Sequence, residues 1–220
     1  MTGLAYGSAP CRCRLPEHAP RLVVVTGGPG AGKTAILELA RRSFCEHVAI
    51  LPEAASIVFG GGFPRHAGLA ARRAAQRAIY HVQREVENVV LEERRVAVAL
   101  CDRGTVDGLG YWPDEADELW HQVGTDVERE LARYGLVLHL ETPTADDGYV
   151  NDPLRIETAE EARRLDRRIA LAWSRHPRRV ALPSQHDFTR KALAALGEIR
   201  AALPPCCSAH DLRVGEERER

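Results

Sequence analysis

Short apolar runs alternate with longer amphipathic stretches along most of the chain. Arg21-Leu-Val-Val-Val25, Val48-Ala-Ile-Leu51, Val96-Ala-Val-Ala-Leu100, Leu136-Val-Leu-His-Leu140 and the shorter Val180-Ala-Leu182 are rich in branched aliphatic residues. Runs this short and this apolar predict strands buried on both faces, as in a parallel sheet. Between them, apolar positions recur at three- and four-residue steps. From about Leu69 to Arg94, the residues Ala75, Ile79, Val82, Val86 and Val89-Val90 form one stripe and predict a long amphipathic helix. Further helices are predicted after Thr34 and over 125–134, 158–175 and 187–202. Strands alternating with helices predict a three-layer α/β sandwich on a five-stranded parallel sheet.

Size and composition narrow the class. With 220 residues, 45% of them hydrophobic, the chain is read as one domain with a sizeable core. That domain is expected over residues 21–204, preceded by a loose leader (1–20) and followed by a charged tail (205–220). A formal net charge of −1 gives no bulk attraction to nucleic acid or to an anionic membrane. The first residues hold no long apolar stretch, so a cytoplasmic protein is expected. The cysteines are Cys11, Cys13, Cys45, Cys101, Cys206 and Cys207. Neither Cys11-x-Cys13 nor Cys206-Cys207 has the spacing or the histidine partners of a zinc site, so free thiols in a reducing compartment are expected.

Chemistry enters at Gly27-Gly28-Pro29-Gly30-Ala31-Gly32-Lys33-Thr34, which fits the phosphate-loop pattern G-x-x-x-x-G-K-[ST] at every fixed position. Strand before and helix after are the context the motif requires. Of the 30 lysines and arginines, only Lys33 and Lys191 are lysines. A lysine at this position of an arginine-rich chain calls for a compact point charge, not a planar guanidinium. The loop Gly28, Pro29, Gly30, Ala31, Gly32, Lys33 and Thr34, through the backbone N–H groups of all but Pro29, and the helix N-terminus would cradle phosphates. Lys33 would reach the β- and γ-phosphates, and the Thr34 hydroxyl would hold Mg²⁺. ATP or GTP with Mg²⁺ is the expected ligand.

Ligands of an open parallel sheet sit beyond the carboxyl ends of its strands. There the sequence places Asp102 and Arg103 after the third strand, and Pro52-Glu53 after the second. Asp102 is the candidate second Mg²⁺ group. Arg103 either binds an anion or pairs with Asp102. Glu53 is a candidate general base, or a solvated first-turn carboxylate. Gly60-Gly-Gly62 then breaks the chain before the long helix, as a linker or a substrate-enclosing loop. The stretch from about 142 to 176 reads as a lid, with Thr158 and Glu161 set as a capping box and Arg155, Arg163 or Arg164 as its phosphate clamps. Arg164 and Arg168 share one helical face, although Glu160, Glu161 and Asp166 make a solvated, salt-bridged helix an alternative.

Taken together, GGPGAGKT, PEAAS, CDRGTVDGLGYWP, YVNDPLR (149–155), Leu165-Asp-Arg167, Trp173-Ser-Arg-His-Pro177 and Asp187-Phe188 with Lys191 resemble a small AAA/P-loop family. It includes the ribosylnicotinamide kinase domain of the bacterial NAD regulator and the TRPL-translocation-defect protein, and the match is nearer the latter branch. The resemblance implies a nucleotide-kinase-like fold with a mobile lid, with Lys33, Thr34 and Asp102 at the phosphate and metal positions. It also implies GTP and phosphoinositide binding, although no basic cluster free of acids stands in the sequence to meet a lipid. Two functions follow. One is a Mg²⁺-dependent phosphotransferase acting on a small hydroxyl acceptor; the other is a nucleotide-dependent binding module that reports to a protein partner. The Asn-Lys-x-Asp guanine-reading motif is missing, so the sequence leaves the base open.

Overall fold

A computed structural model describes residues 3–143, 159–184 and 188–207. The chain runs β1 (Ala5–Tyr6), β2 (Arg21–Thr26), α1 (Lys33–Ser43), β3 (Val48–Leu51), α2 (Ala54–Gly60), α3 (Leu69–Glu93) and β4 (Val98–Asp102). It continues through a 3-10 turn (Thr105–Asp107), α4 (Gly108–Tyr111), α5 (Ala116–Val123), α6 (Val127–Ala132) and β5 (Tyr134–Leu140). Then come α7 (Ala159–Ala172), β6 (Arg179–Leu182), α8 (Phe188–Ala202) and a closing 3-10 turn (Pro205–Cys207).

The strands form one sheet in the order β1-β3-β4-β2-β5-β6. β3, β4, β2, β5 and β6 are parallel, as the apolar runs predict, and β2 lies between β4 and β5. Alternate residues of β2 feed opposite cores. Val23 and Val25 pack with Ile36 and Leu37 of α1 and with Leu196 and Ile199 of α8. Leu22 and Val24 pack on the other face with Tyr80, Trp112, Trp120, Ile169 and Trp173. Helices on both faces bury β2, β3, β4 and β5 almost completely, which is why these strands are mostly aliphatic.

The sixth strand corrects the sequence reading. Residues expected in a loose leader supply β1, which pairs antiparallel with β3 through Ala5 opposite Ile50 and Tyr6 opposite Ala49. Gly7 and Ala9 go on donating backbone hydrogen bonds to Val48 and Phe44. At the other end, residues up to 207 turn back onto the core and Cys207 is fully buried. Short helices α2, α4 and α5 also escaped the periodicity, since each offers too few turns to build a stripe. Among the described residues, no helix is long and apolar enough to cross a membrane.

Candidate functional site

The Gly28 to Thr34 loop connects β2 to α1 at the carboxyl edge of the sheet. Its conformation needs glycine at Gly27, whose φ is +135° and where a Cβ would lie 2.0 Å from the Leu140 carbonyl oxygen. Gly28 is needed for close approach: a Cβ there would meet Thr142 Oγ1 at 2.4 Å and the Ala162 carbonyl of α7 at 2.9 Å. Helix α1 opens at Gly32 with no side-chain cap and no acidic residue in its first turn. Its first N–H groups are thereby left for an anion.

Lys33 turns its ammonium back onto the loop, donating to the Gly27 carbonyl at 3.0 Å and the Gly28 carbonyl at 2.9 Å. Burial, with Arg103 adding like-charge repulsion, pulls its pKa down to about 7. Asp102 closes β4 beside Val25 of β2. Burial pushes its carboxyl up to about 6 despite the opposing pull of Lys33. Its Oδ1 is buried without a hydrogen-bond partner. Thr34, Asp102, Glu53, Ser56 and Glu38 line one cavity of about 340 Å³. A hydroxyl and an orphaned carboxylate oxygen on the wall of one cavity fit the hard-oxygen shell of Mg²⁺, whose waters would satisfy Asp102.

Arg103 corrects one expectation. It does not pair with Asp102. Its Nε donates to Glu53 at 2.8 Å, and one terminal nitrogen reaches the Gly27 carbonyl at 3.1 Å and Asp107 at 3.2 Å. The backbone reaches this geometry at φ 74°, the left-handed region that a side chain seldom adopts. The guanidinium also lies over the Tyr111 ring, 5.6 Å from its centre. Glu53 accepts from Ser56 Oγ at 2.6 Å as well. Burial would raise the Glu53 carboxyl, but Arg103 and Ser56 hold it below the usual range. Glu53 is therefore an ion-paired wall residue, not a solvated first-turn carboxylate. Together with Arg103, Asp107 and Tyr111 it lines a second cavity of about 550 Å³. Glu53 and Ser56 border both cavities. Gly60 lines the second cavity too, so the glycine break is part of its rim.

Several residues of this region went unread in the sequence. Buried Asp107 accepts from Thr26 Oγ1, from the Gly104 N–H at 3.1 Å and from Trp173 Nε1 at 2.9 Å, tying the loop after β4 to β2 and to the residue that follows α7. Asp166 of α7 accepts the Gly28 N–H at 2.7 Å and lies 3.1 Å from His139 Nε2. Against the upward pull of burial, His139 and the N–H groups of Gly28 and Thr142 hold its carboxyl below the usual range. Lys191, which the sequence left as base-side or exposed, is buried and donates to the Ala31 carbonyl at 3.0 Å and the Glu141 carbonyl at 2.7 Å. Its rarity was the one available signal. The lid arginines divide. Arg155, Thr158 and the stretch 144–158 lie outside the described residues. Arg168 donates to the Trp112 carbonyl at 2.7 Å and so docks α7 on α4 and the turn after it. Arg164 is exposed and lines a separate cavity with Arg65, Arg72 and Tyr111. Arg163 is partly buried on the same helix.

Fold and loop define a P-loop protein. More narrowly, residues 22–191 match the family model described as AAA domain, and the chain belongs to that family. Among solved structures, it is similar to the one titled "Crystal structure of NadR protein in complex with NR", at 17% identity and a TM-score of 0.59. The likeness covers 84% of this chain and 52% of that one, so this chain spans about half of NadR. No curated protein matches the sequence.

Proposed function

We propose that this protein transfers the γ-phosphoryl group of ATP or GTP to the hydroxyl of a small molecule. One observation carries the reading: Glu53 and Ser56 separate a cavity bordered by Thr34 and Asp102 from a second, larger one with room for an acceptor. Lys33 exchanges the carbonyls of Gly27 and Gly28 for the β- and γ-phosphates of the nucleotide. Thr34 and Asp102 hold Mg²⁺, which when bound neutralises charge on the transferring group. The acceptor oxygen bonds to the γ-phosphorus, the bond to the β–γ bridging oxygen breaks, and the hydroxyl proton passes to Glu53. The low pKa of Glu53 suits this role in a loose transition state, where little proton abstraction is needed and orientation dominates. Arg103 keeps Glu53 ionised and fixes its direction. Arg155 and Arg164 are the proposed lid groups that close on the phosphates. The NR held by the NadR structure supports a small-molecule acceptor.

A second reading has its own observation. Asp166 joins α7 directly to the Gly28 N–H, so nucleotide in the loop would bias the position of α7. On that reading the protein is a slow nucleotide-dependent switch for a protein or phosphoinositide partner. Incubation with γ-labelled ATP or GTP, Mg²⁺ and a panel of nucleosides and ribosides separates the two. Acceptor-dependent labelled product, lost in Lys33→Ala, supports the kinase. Tight nucleotide binding with no labelled product from any acceptor sinks it in favour of the switch.

A further inference from the structure

Far from the phosphate loop, at the amino-terminal end of the sheet, three distant segments bring cysteine and histidine together. The leader contributes Cys11, the connection from α1 to β3 contributes Cys45 and His47, and the closing 3-10 turn contributes Cys207. One ligand atom from each of these four residues lies within 4.8 Å of the other three. His47 Nδ1 is 3.5 Å from Cys207 Sγ and 3.7 Å from Cys45 Sγ. A tetrahedral zinc ion, with Zn–S of about 2.3 Å and Zn–N of about 2.0–2.1 Å, requires sulfur–nitrogen separations of roughly 3.5 Å. These two separations match ligands on one ion, and the other pairs lie within 4.8 Å.

Backbone contacts hold these side chains in place independently of any ion. Cys45 forms a bridge with Ala9, and its carbonyl accepts from Val48 at 2.9 Å. The His47 carbonyl accepts from Ala97 at 2.8 Å, and Cys207 N–H donates to Pro204 at 2.9 Å. Cys45 and Cys207 are fully buried. All six cysteines are free thiols, so disulfide bonding does not account for the convergence. A flanking set of Cys13 and His18 sits beside the first. Cys13 Sγ is 3.9 Å from His18 Nε2, and the His18 and His47 rings are 4.6 Å apart. This placement overturns the expectation that the tail cysteines lack histidine partners: those partners come from elsewhere in the sequence.

We propose that Cys11, Cys45, His47 and Cys207 form a structural zinc site that fastens the segment before β2 and the turn after α8 to the start of β3. Binding converts three thiols to thiolates and releases their protons, while neutral His47 donates through Nδ1, leaving no position open for substrate. The whole protein, purified under reducing conditions, is assayed for zinc by mass spectrometry and then reconstituted with Co²⁺. The expected result is about one zinc per chain surviving dialysis, and a tetrahedral Co²⁺ spectrum with thiolate charge-transfer bands. Cys207→Ser and His47→Ala should abolish stoichiometric retention, whereas Cys101→Ser, at a buried thiol outside the cluster, should leave it intact. Partly exposed Cys11 supplies a variant less apt to disturb folding, and Cys11→Ser should weaken the charge-transfer band. Absence of both retained zinc and the cobalt spectrum in the reduced wild-type protein overturns the proposal. So does a disulfide among these cysteines in freshly isolated protein. Loss of metal in Cys13→Ser and His18→Ala, with Cys11→Ser and Cys45→Ser unaffected, overturns the ligand assignment.

Discussion

The two sides of the candidate site are built in opposite ways. The phosphate side is a contiguous loop whose shape comes from glycine backbone, with Lys33 as its one charged side chain. The proposed acceptor side is assembled from the ends of β3 and β4 and the turn before α4, and Arg103 holds Glu53 and Asp107 by ion pairs. Backbone built into a helix start can bind any phosphate chain, so that side is generic. The acceptor wall is made of side chains whose partners lie 50 residues apart in the case of Arg103 and Glu53, so it can change with substrate while the loop does not.

That contrast can be tested, beginning with the largest expected effect. Lys33→Ala should reduce turnover by about 1,000-fold while thermal melting stays near the parent, because the lost interaction matters in the transition state and not in the fold. Lys33→Arg sharpens the point. Normal binding and turnover in that variant would defeat the argument for a compact charge. Arg103→Ala should act the other way, costing about 3 kcal/mol in urea-unfolding stability because Glu53 and buried Asp107 lose their shared cation. Stability unchanged in Arg103→Ala would show that the acceptor wall does not rely on the pairing. Glu53→Gln should lower acceptor-dependent turnover about 100-fold with nucleotide affinity unmoved. A matching fall in nucleotide affinity, measured by calorimetry, would move Glu53 to the phosphate side.

The smallest effect is a proton count. Burial and Arg103 depress Lys33 to about 7, so near pH 8 the empty protein holds much of it neutral. Triphosphate favours the ammonium, so binding at that pH should take up a proton, and at pH 6 the uptake should vanish because Lys33 is already charged. Asp102 has the reverse sign. It is raised to about 6, so Mg²⁺ binding below that pH should release a proton. Calorimetry in buffers of different ionisation heat reads both.

How legible these parts were in the sequence follows from how each is encoded. β2, β3, β4 and β5 stand out as apolar runs because both faces are buried, and the loop reads directly because its eight residues are consecutive. Arg103 and Glu53 were visible as candidates, yet their mutual pairing was not, since it depends on β3 lying beside β4 in the sheet. Asp166 looked like one more acid on a charged helix until α7 was placed against Gly28. Lys191 was marked only by its rarity, and its partners Ala31 and Glu141 are backbone carbonyls, which leave no trace in composition. The histidine partners of the cysteines were missed for the same reason. Cys11 and Cys207 look unpartnered along the chain because the leader and the last turn meet only in the folded protein.

The two residues of β1 have an effect beyond their length. Val48-Ala-Ile-Leu51 is uncharged, apolar and fully extended, the composition most given to self-association when its edge is bare. Ala5 and Tyr6 occupy that edge, and Gly7 extends the cover with its bond to Val48. The far edge is defended by other means, with Arg179 in β6 and Pro183 just beyond it. The leader thus acts as a built-in guard of colloidal behaviour. A proteolytic nick near residue 10 should free that edge and promote self-association, read as a rise in light scattering.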